Sequence, residues 1–179
     1  MSTQDRERWD RRFATVGPGL PGPPSVLVGR EELLRPAGKA LDVACGRGTV
    51  AVWLAERGFS TTALDVSPEA LRLTAELAAS RGVEVEGVRA DLDDGLPAAL
   101  TGPFDVVVCQ RFRDPSLYPV LRGLLAPGGL LVVSVLSTVD DSGGSYRAAP
   151  GELRAALGHL EVLVDEEGNG EAHLVARRP

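Results

Sequence analysis

From Lys39 onward, short apolar runs alternate with segments whose apolar residues recur every three or four positions. The run 40–44 (ALDVA) precedes a helical pattern over 49–57, and the run 60–64 precedes Ser67-Pro68-Glu69. A capping serine followed by proline at the first helical position predicts a helix there, running to Arg81 and closed by Gly82. A third strand is expected over 83–88, and its glutamates, Glu84 and Glu86, put it near a sheet edge, where charge discourages further pairing. Residues 105–109 (DVVVC) are almost unbroken apolar, as in a central parallel strand covered on both faces. The run 130–136, entered through Pro127-Gly128-Gly129, is another. A helix over 151–157 leads to 160–164, a turn region over 166–170 and then 172–176, which together predict an antiparallel hairpin. This alternation argues for an α/β sheet.

Ahead of the sheet, residues 6–13 predict a short charged helix with Trp9 and Phe13 four apart on one face. Residues 17–24 (GPGLPGPP) form a loop, because proline removes backbone donors and glycine leaves the chain unconstrained. Ser25 is expected to cap a helix to about Arg35, stopped by Pro36 and Gly38.

Composition acts mainly by exclusion. With 179 residues and 44% hydrophobic content the expectation is one domain, residues 1–179, with 1–36 as a helical arm and loop and 39–179 as the core. A net charge of -6 and arginines scattered along the chain argue against nucleic acid as a partner. The amino terminus lacks an apolar signal core and no apolar run approaches the roughly eighteen residues of a membrane span, so a cytoplasmic protein without membrane attachment is expected. Cys45 and Cys109 each end a strand-like run and read as reduced thiols. His159 and His173 have no matching acid or cysteine cluster in the sequence, so no metal is expected.

The strongest chemical signal is Leu41-Asp42-Val43-Ala44-Cys45-Gly46-Arg47-Gly48, a strand running into a glycine loop and then a helix. Gly46 and Gly48 let backbone approach a ligand, the helix amino terminus favours an anionic group, and Asp42 is placed to meet a cation. Asp65 closes the second strand about twenty residues later, where a carboxylate accepts from ribose hydroxyls in nucleotide-binding sheets. S-adenosylmethionine, zwitterionic in its amino acid part, satisfies these features. A nicotinamide dinucleotide also does, since Gly46, Gly48 and Ala51 fit its glycine pattern; so does a tight turn with no ligand.

Five segments in order, LDVACGRG (41–48), ALDVSPEAL (63–71), ADLDD (90–94), FDVVVCQRF (104–112) and LAPGGLLVV (125–133), resemble the successive motifs of class I S-adenosylmethionine-dependent methyltransferases. With ERWDRRFA (7–14) and GPPS (22–25), the chain is most similar to their small tellurite-resistance and thiopurine methyltransferase-like branch. The resemblance implies a Rossmann-like, doubly wound sheet of seven strands in the order 3-2-1-4-5-7-6, mostly parallel with a C-terminal antiparallel hairpin. It assigns Asp42, Ala44, Gly46 and Gly48 to the methionine part, Asp65 to the ribose, and Val66, Asp91 and Leu92 to the adenine. Cys109 and Gln110 would lie beneath the methyl group, a departure from the acidic or aromatic residue many relatives carry there. Trp9, with Arg12 and Phe13, would close over the cofactor as a lid, or pack as an arm. Acceptor contacts are expected from loops at the carboxyl ends of the strands, through Arg111, Arg113, Tyr146 and Arg147, which suit a small, anionic acceptor. The expected activity is methyl transfer by a monomer or homodimer; the alternatives are a catalytically silent binding protein and an NAD(P)-dependent oxidoreductase.

Overall fold

A computed structural model describes residues 3–141 and 143–179, with side chains from residue 7 onward. Met1, Ser2, Ser142 and the side chains of residues 3–6, among them Arg6 of the expected first helix, lie outside the described set. The elements in order are α1 (Thr3–Ala14), β1 (Gly38–Val43), α2 (Thr49–Glu56), β2 (Phe59–Asp65), α3 (Pro68–Arg81), β3 (Val85–Arg89), β4 (Phe104–Gln110), α4 (Tyr118–Gly123), β5 (Leu125–Leu136), α5 (Glu152–Leu157), β6 (Glu161–Gly168) and β7 (Glu171–Arg177). The strands form a seven-stranded sheet in the order β3-β2-β1-β4-β5-β7-β6, the expected topology. Among the described residues no helix is long and apolar enough to cross a membrane. The chain divides into two compact units, one of residues to Pro23 with Arg35–Thr101, the other of Pro24–Leu34 with Gly102–Pro179.

In the first unit β1, β2 and β3 run parallel. Helix α3 buries Ala70, Leu73, Thr74, Leu77 and Ala78, a helical stripe, and Leu77 and Ala78 pack on Val52 of α2. Its ends follow the sequence: the Ala70 N–H donates to Ser67 Oγ at 3.1 Å, and Gly82 closes the helix at φ 68° with its N–H on the last carbonyls. Strand β3 is the sheet edge, and it exposes Glu86.

In the second unit β4 is parallel to β5, which pairs antiparallel with β7, and β7 with β6. The hairpin turns on Asn169 and Gly170 alone, at φ 52° and 77°, the left-handed pair of a type I′ turn. The turn is therefore tighter than the sequence suggests, and β6 runs on to Gly168. Strand β5 begins at Leu125, not Leu130, because three residues are looped out between the pairs Phe104–Leu125 and Val106–Leu130. The helix expected from Ser25 is absent: two 3₁₀ turns, Ser25–Leu27 and Glu31–Leu33, take its place. Gly29 at φ 73° ends the first turn, and the adjacent Val26 and Leu27 are both buried, which a single amphipathic face would not provide. Ser25 caps nothing there; Pro24 precedes the turn. This segment lies on β7, where the Arg177 guanidinium donates to the Leu33 carbonyl at 2.9 Å.

Candidate functional site

The ends of β1, β2 and β3 carry the first unit's polar residues. After β1 the chain turns through Ala44, Gly46 and Gly48, with φ of 55°, 55° and 69°, into α2. The loop is strapped to β2, since the Cys45 N–H donates to the Leu64 carbonyl at 3.0 Å and the Gly46 N–H to Asp65 Oδ2 at 2.9 Å. A Cβ on Gly48 would lie 2.4 Å from the Thr74 side chain, so glycine is required by space as well as by φ.

Asp42, 3% exposed, receives the Ala51 N–H at 3.1 Å, satisfying a first-turn donor of α2 that the N-cap Gly48 leaves open. Burial pushes its carboxyl up to about 7; the Ala51 N–H opposes this and the charge of Asp65 adds to it. Asp65, 7% exposed, receives the Ser67 N–H on Oδ1 at 3.0 Å and the Gly46 N–H on Oδ2. Burial raises its carboxyl as well, against the pull of the Ser67, Gly46 and Val66 N–H groups. Val66 is buried beside it, and its carbonyl accepts from Arg89 Nε at 3.3 Å. Asp91 follows β3 and caps a 3₁₀ turn, Leu92–Asp94, through the Asp93 N–H at 3.1 Å; Leu92 is buried while Asp93 and Asp94 are exposed. Asp42, Asp65 and Asp91 thus stand at the carboxyl ends of three neighbouring parallel strands.

Helix α1 lies over this crest. Asp10 accepts from Ser67 Oγ and from the Glu69 N–H, at the amino terminus of α3. The Phe13 ring comes within 3.4 Å of where a Cβ on Gly46 would sit. Trp9 is half-buried and stacks on Phe13 with centroids 5.9 Å apart, and the Arg12 guanidinium sits 5.1 Å from the Trp9 ring centre. The sequence shows the shared face of Trp9 and Phe13 but gives no sign of Asp10's partners.

The donor set decides which group fits. Three carboxylates, two of them deeply buried, accept hydrogen bonds and favour cations, which suits an ammonium, a ribose diol and an adenine amino group. A pyrophosphate would bring two negative charges against Asp42 and Asp65 in a desolvated setting. The first unit therefore fits S-adenosylmethionine and not a dinucleotide.

In the second unit Cys109 is buried, its Sγ 3.6 Å from the Phe112 carbonyl, and Gln110 is half-buried at the end of β4. Each arginine proposed from the sequence is held by a carboxylate. Arg111, at φ 55°, reaches Glu171 at 3.1 Å; Arg113 forks onto Glu152 at 2.8 and 2.6 Å; Arg147 reaches Asp141 at 2.6 Å and the Ser137 and Gly170 carbonyls. Arg113 holds the Glu152 carboxyl below its ordinary range, and the Tyr118 hydroxyl, pushed up by burial, donates to the same carboxylate at 3.3 Å. Tyr146, at φ 65°, is 64% exposed. His173, without a matching cluster in the sequence, has partners in the fold: its Nδ1 lies 2.9 Å from Ser134 Oγ, and its Nε2 lies 3.4 Å from Glu171 Oε2. The register of β5 on β7, which puts Ser134 opposite His173, is the signal that would have revealed the pair.

Comparison with known proteins agrees with the site. The model of the methyltransferase domain family matches residues 40–129, half of the chain. The chain is 38% identical over 104 residues to a ubiquinone biosynthesis O-methyltransferase of Caulobacter sp. (strain K31), covering 55% of this chain and 41% of the relative. It is 39% identical over 103 residues to a ribosomal protein L11 methyltransferase of Bordetella parapertussis, covering 55% of this chain and 32% of the relative. The chain thus spans less than half the length of the curated relatives it matches. Its fold superposes on TehB of Haemophilus influenzae with a TM-score of 0.75 at 18% identity, over 97% of this chain and 67% of that one. The chain belongs to the methyltransferase domain family, within the class I S-adenosylmethionine-dependent methyltransferases that its motifs resemble.

Proposed function

We propose that the protein transfers the methyl group of S-adenosylmethionine to a small-molecule acceptor in the cytoplasm, with residues 1–179 acting as one methyltransferase domain. The observation that carries this is the crest of Asp42, Asp65 and Asp91 around a glycine loop strapped to Asp65. Asp42 faces the ammonium end of the ligand, the left-handed backbone at Gly46 and Gly48 lets the methionine part approach, Asp65 takes the ribose, and Val66, Asp91 and Leu92 take the adenine. Trp9 and Phe13 cover the site and keep water out. Cys109 and Gln110 are assigned beneath the methyl group by resemblance alone.

The bound sulfonium supplies an activated methyl group, so the chain's task is to align donor and acceptor, which is worth roughly 7–11 kcal/mol in well-oriented cases. Acceptor contacts come from the loops after β4 and β5, where Arg111 and Tyr146 are the most exposed of the four proposed residues. The relatives' names span a quinone pathway and a ribosomal protein, so the choice of a small acceptor rests on the motif resemblance and the acidic charge.

Calorimetric titration with S-adenosylhomocysteine, with NADH in parallel, tests the reading. Micromolar binding of the first and none of the second is expected; folded protein that binds neither refutes it. Binding without turnover of any acceptor would identify a catalytically silent member of the family.

A further inference from the structure

Register fixes which side chains share a face of the sheet formed by β4 to β7. Gln110 lies beside Ser134, Ser134 opposite His173, and His173 opposite Glu166. Residues in register across neighbouring strands project from the same face, so these four form one polar row. Two residues further along, the row is Val108, Val132, Val175 and Val164. A hydroxyl and an imidazole set beside a row of valines cost free energy unless each is hydrogen-bonded. They are bonded to each other: Ser134 is 5% exposed, the His173 side chain 17%, and Oγ and Nδ1 are 2.9 Å apart.

Direction follows from chemistry. The Glu171 carboxylate 3.4 Å from Nε2 can only accept, which favours the tautomer with its proton on Nε2, and in that tautomer Nδ1 accepts from the Ser134 hydroxyl. Glu171 is itself held by Arg111, whose left-handed backbone leaves the end of β4 with its N–H on the Ser134 carbonyl at 2.7 Å. The remaining charged neighbour in the row, Glu166, is engaged by Arg30 at 2.6 Å. The result is a hydroxyl, an imidazole and a carboxylate in series, beginning next to Gln110 at the strand end where acceptors are expected.

We infer that Ser134, His173 and Glu171 form a proton relay that deprotonates a hydroxyl acceptor, which narrows the acceptor to a neutral alcohol or phenol. This rests on the methyl-transfer reading above. As the acceptor oxygen bonds to the methyl carbon, the carbon–sulfur bond breaks and its electron pair stays on sulfur. The acceptor's proton passes to Ser134 Oγ while the serine's own proton moves to Nδ1 of His173. The imidazolium is stabilised by Glu171 and releases its proton to solvent, to which 17% of the side chain is open. A thiolate or an oxyanion needs no such relay.

The test uses the full chain, with S-adenosylmethionine as donor, catechol and thiophenol as probes, and the variants His173→Gln and Glu171→Gln. Nitrogen NMR of the wild-type protein at about pH 8 should show the neutral tautomer with its proton on Nε2. His173→Gln should bind S-adenosylhomocysteine as wild type does, lose about 100-fold or more in kcat/KM for catechol, and keep its rate on thiophenol. Glu171→Gln should fall between the two. A proton on Nδ1 overturns the relay whatever the acceptor, as does wild-type catechol turnover by His173→Gln. Protein that binds S-adenosylhomocysteine yet methylates thiophenol and not catechol, or neither, overturns the hydroxyl relay alone. Protein that fails to bind S-adenosylhomocysteine overturns the methyl-transfer reading first and the relay with it.

Discussion

Replacing Asp42 by asparagine removes a buried charge while keeping its shape. Burial pushes the carboxyl from 3.8 to about 7. Each tenfold change in proton affinity is worth about 1.4 kcal/mol, so holding the group ionised costs the ligand-free protein about 4 kcal/mol above neutrality. Between those two values the folded state keeps a proton that the unfolded chain has released, so wild-type stability falls as pH rises through this window and levels off above it. Asparagine keeps a carbonyl for the Ala51 N–H but buries an amide N–H without an identified partner, a pH-independent cost of about 1–3 kcal/mol. The difference between variant and wild type should therefore climb in the variant's favour by up to about 1.4 kcal/mol per pH unit across the window. Urea unfolding from about pH 4 to 8, followed by the fluorescence of the buried Trp53, reads this slope directly. A flat or falling difference would refute the electrostatic account of Asp42. The same variant should weaken S-adenosylhomocysteine binding by about tenfold or more, roughly 1.4 kcal/mol; unchanged affinity would leave Asp42 with the amino terminus of α2 as its only role.

Gly48→Ala combines a left-handed φ with a Cβ 2.4 Å from Thr74, and should lower stability by about 2–3 kcal/mol and abolish S-adenosylhomocysteine binding. Gly82→Ala, at φ 68° with nothing within 4 Å of the new Cβ, is the control and should cost only about 1 kcal/mol in the same thermal melts. Arg113→Ala strands Glu152 between α4 and α5 and should cost about 1–3 kcal/mol at neutral pH. Because Arg113 lowers the Glu152 carboxyl from 4.5, that contribution is present above this value and should vanish as pH falls further, which paired melts at neutral and acid pH would show. Deleting residues 1–14 should weaken S-adenosylhomocysteine binding with little change in Tm; a large fall in Tm with unchanged affinity would make α1 a packed arm instead of a cover.

Much of the first unit was legible because its signals are local. Asp42 and Asp65 lie in or close apolar runs, Ser67 and Pro68 mark a helix start, and the glycines fall between a strand and a helix. What escaped depends on contacts between residues distant in sequence. Asp10 reaches Ser67 and Glu69, nearly sixty positions away, and helix periodicity says which face packs but not on what. Helix α4 is six residues long, with Pro119 near its start and Gly123 at its end, too short to show periodicity beyond Leu117, Tyr118 and Leu121. The Asn169-Gly170 turn does set Glu166 opposite His173 by counting outward, but nothing in the sequence sets β7 against β5. The Ser134–His173 pair was invisible for that reason, as were the carboxylate partners of Arg111 and Arg113, which come from β7 and α5; Arg147's partner, Asp141, is in its own loop, where only the loop's conformation brings the two together.

Two residues share a conformation that neither composition nor periodicity reveals. Ala44 is the first residue beyond β1 and Arg111 the first beyond β4, and both take φ 55° although both carry a Cβ. A left-handed L-residue costs about 1–2 kcal/mol, so each must be held by what surrounds it. In the first unit the next N–H, that of Cys45, is fixed on the Leu64 carbonyl; in the second, Arg111's own N–H is fixed on the Ser134 carbonyl. Both bonds tie a strand end to its parallel neighbour and force the chain to turn sharply there. In one case the turn presents the glycine loop beside Asp65, and in the other it brings a guanidinium onto Glu171, behind His173. Strain of this kind persists where the surrounding contacts over-determine it, and here it sits at the two strand ends to which the cofactor and acceptor chemistry are assigned.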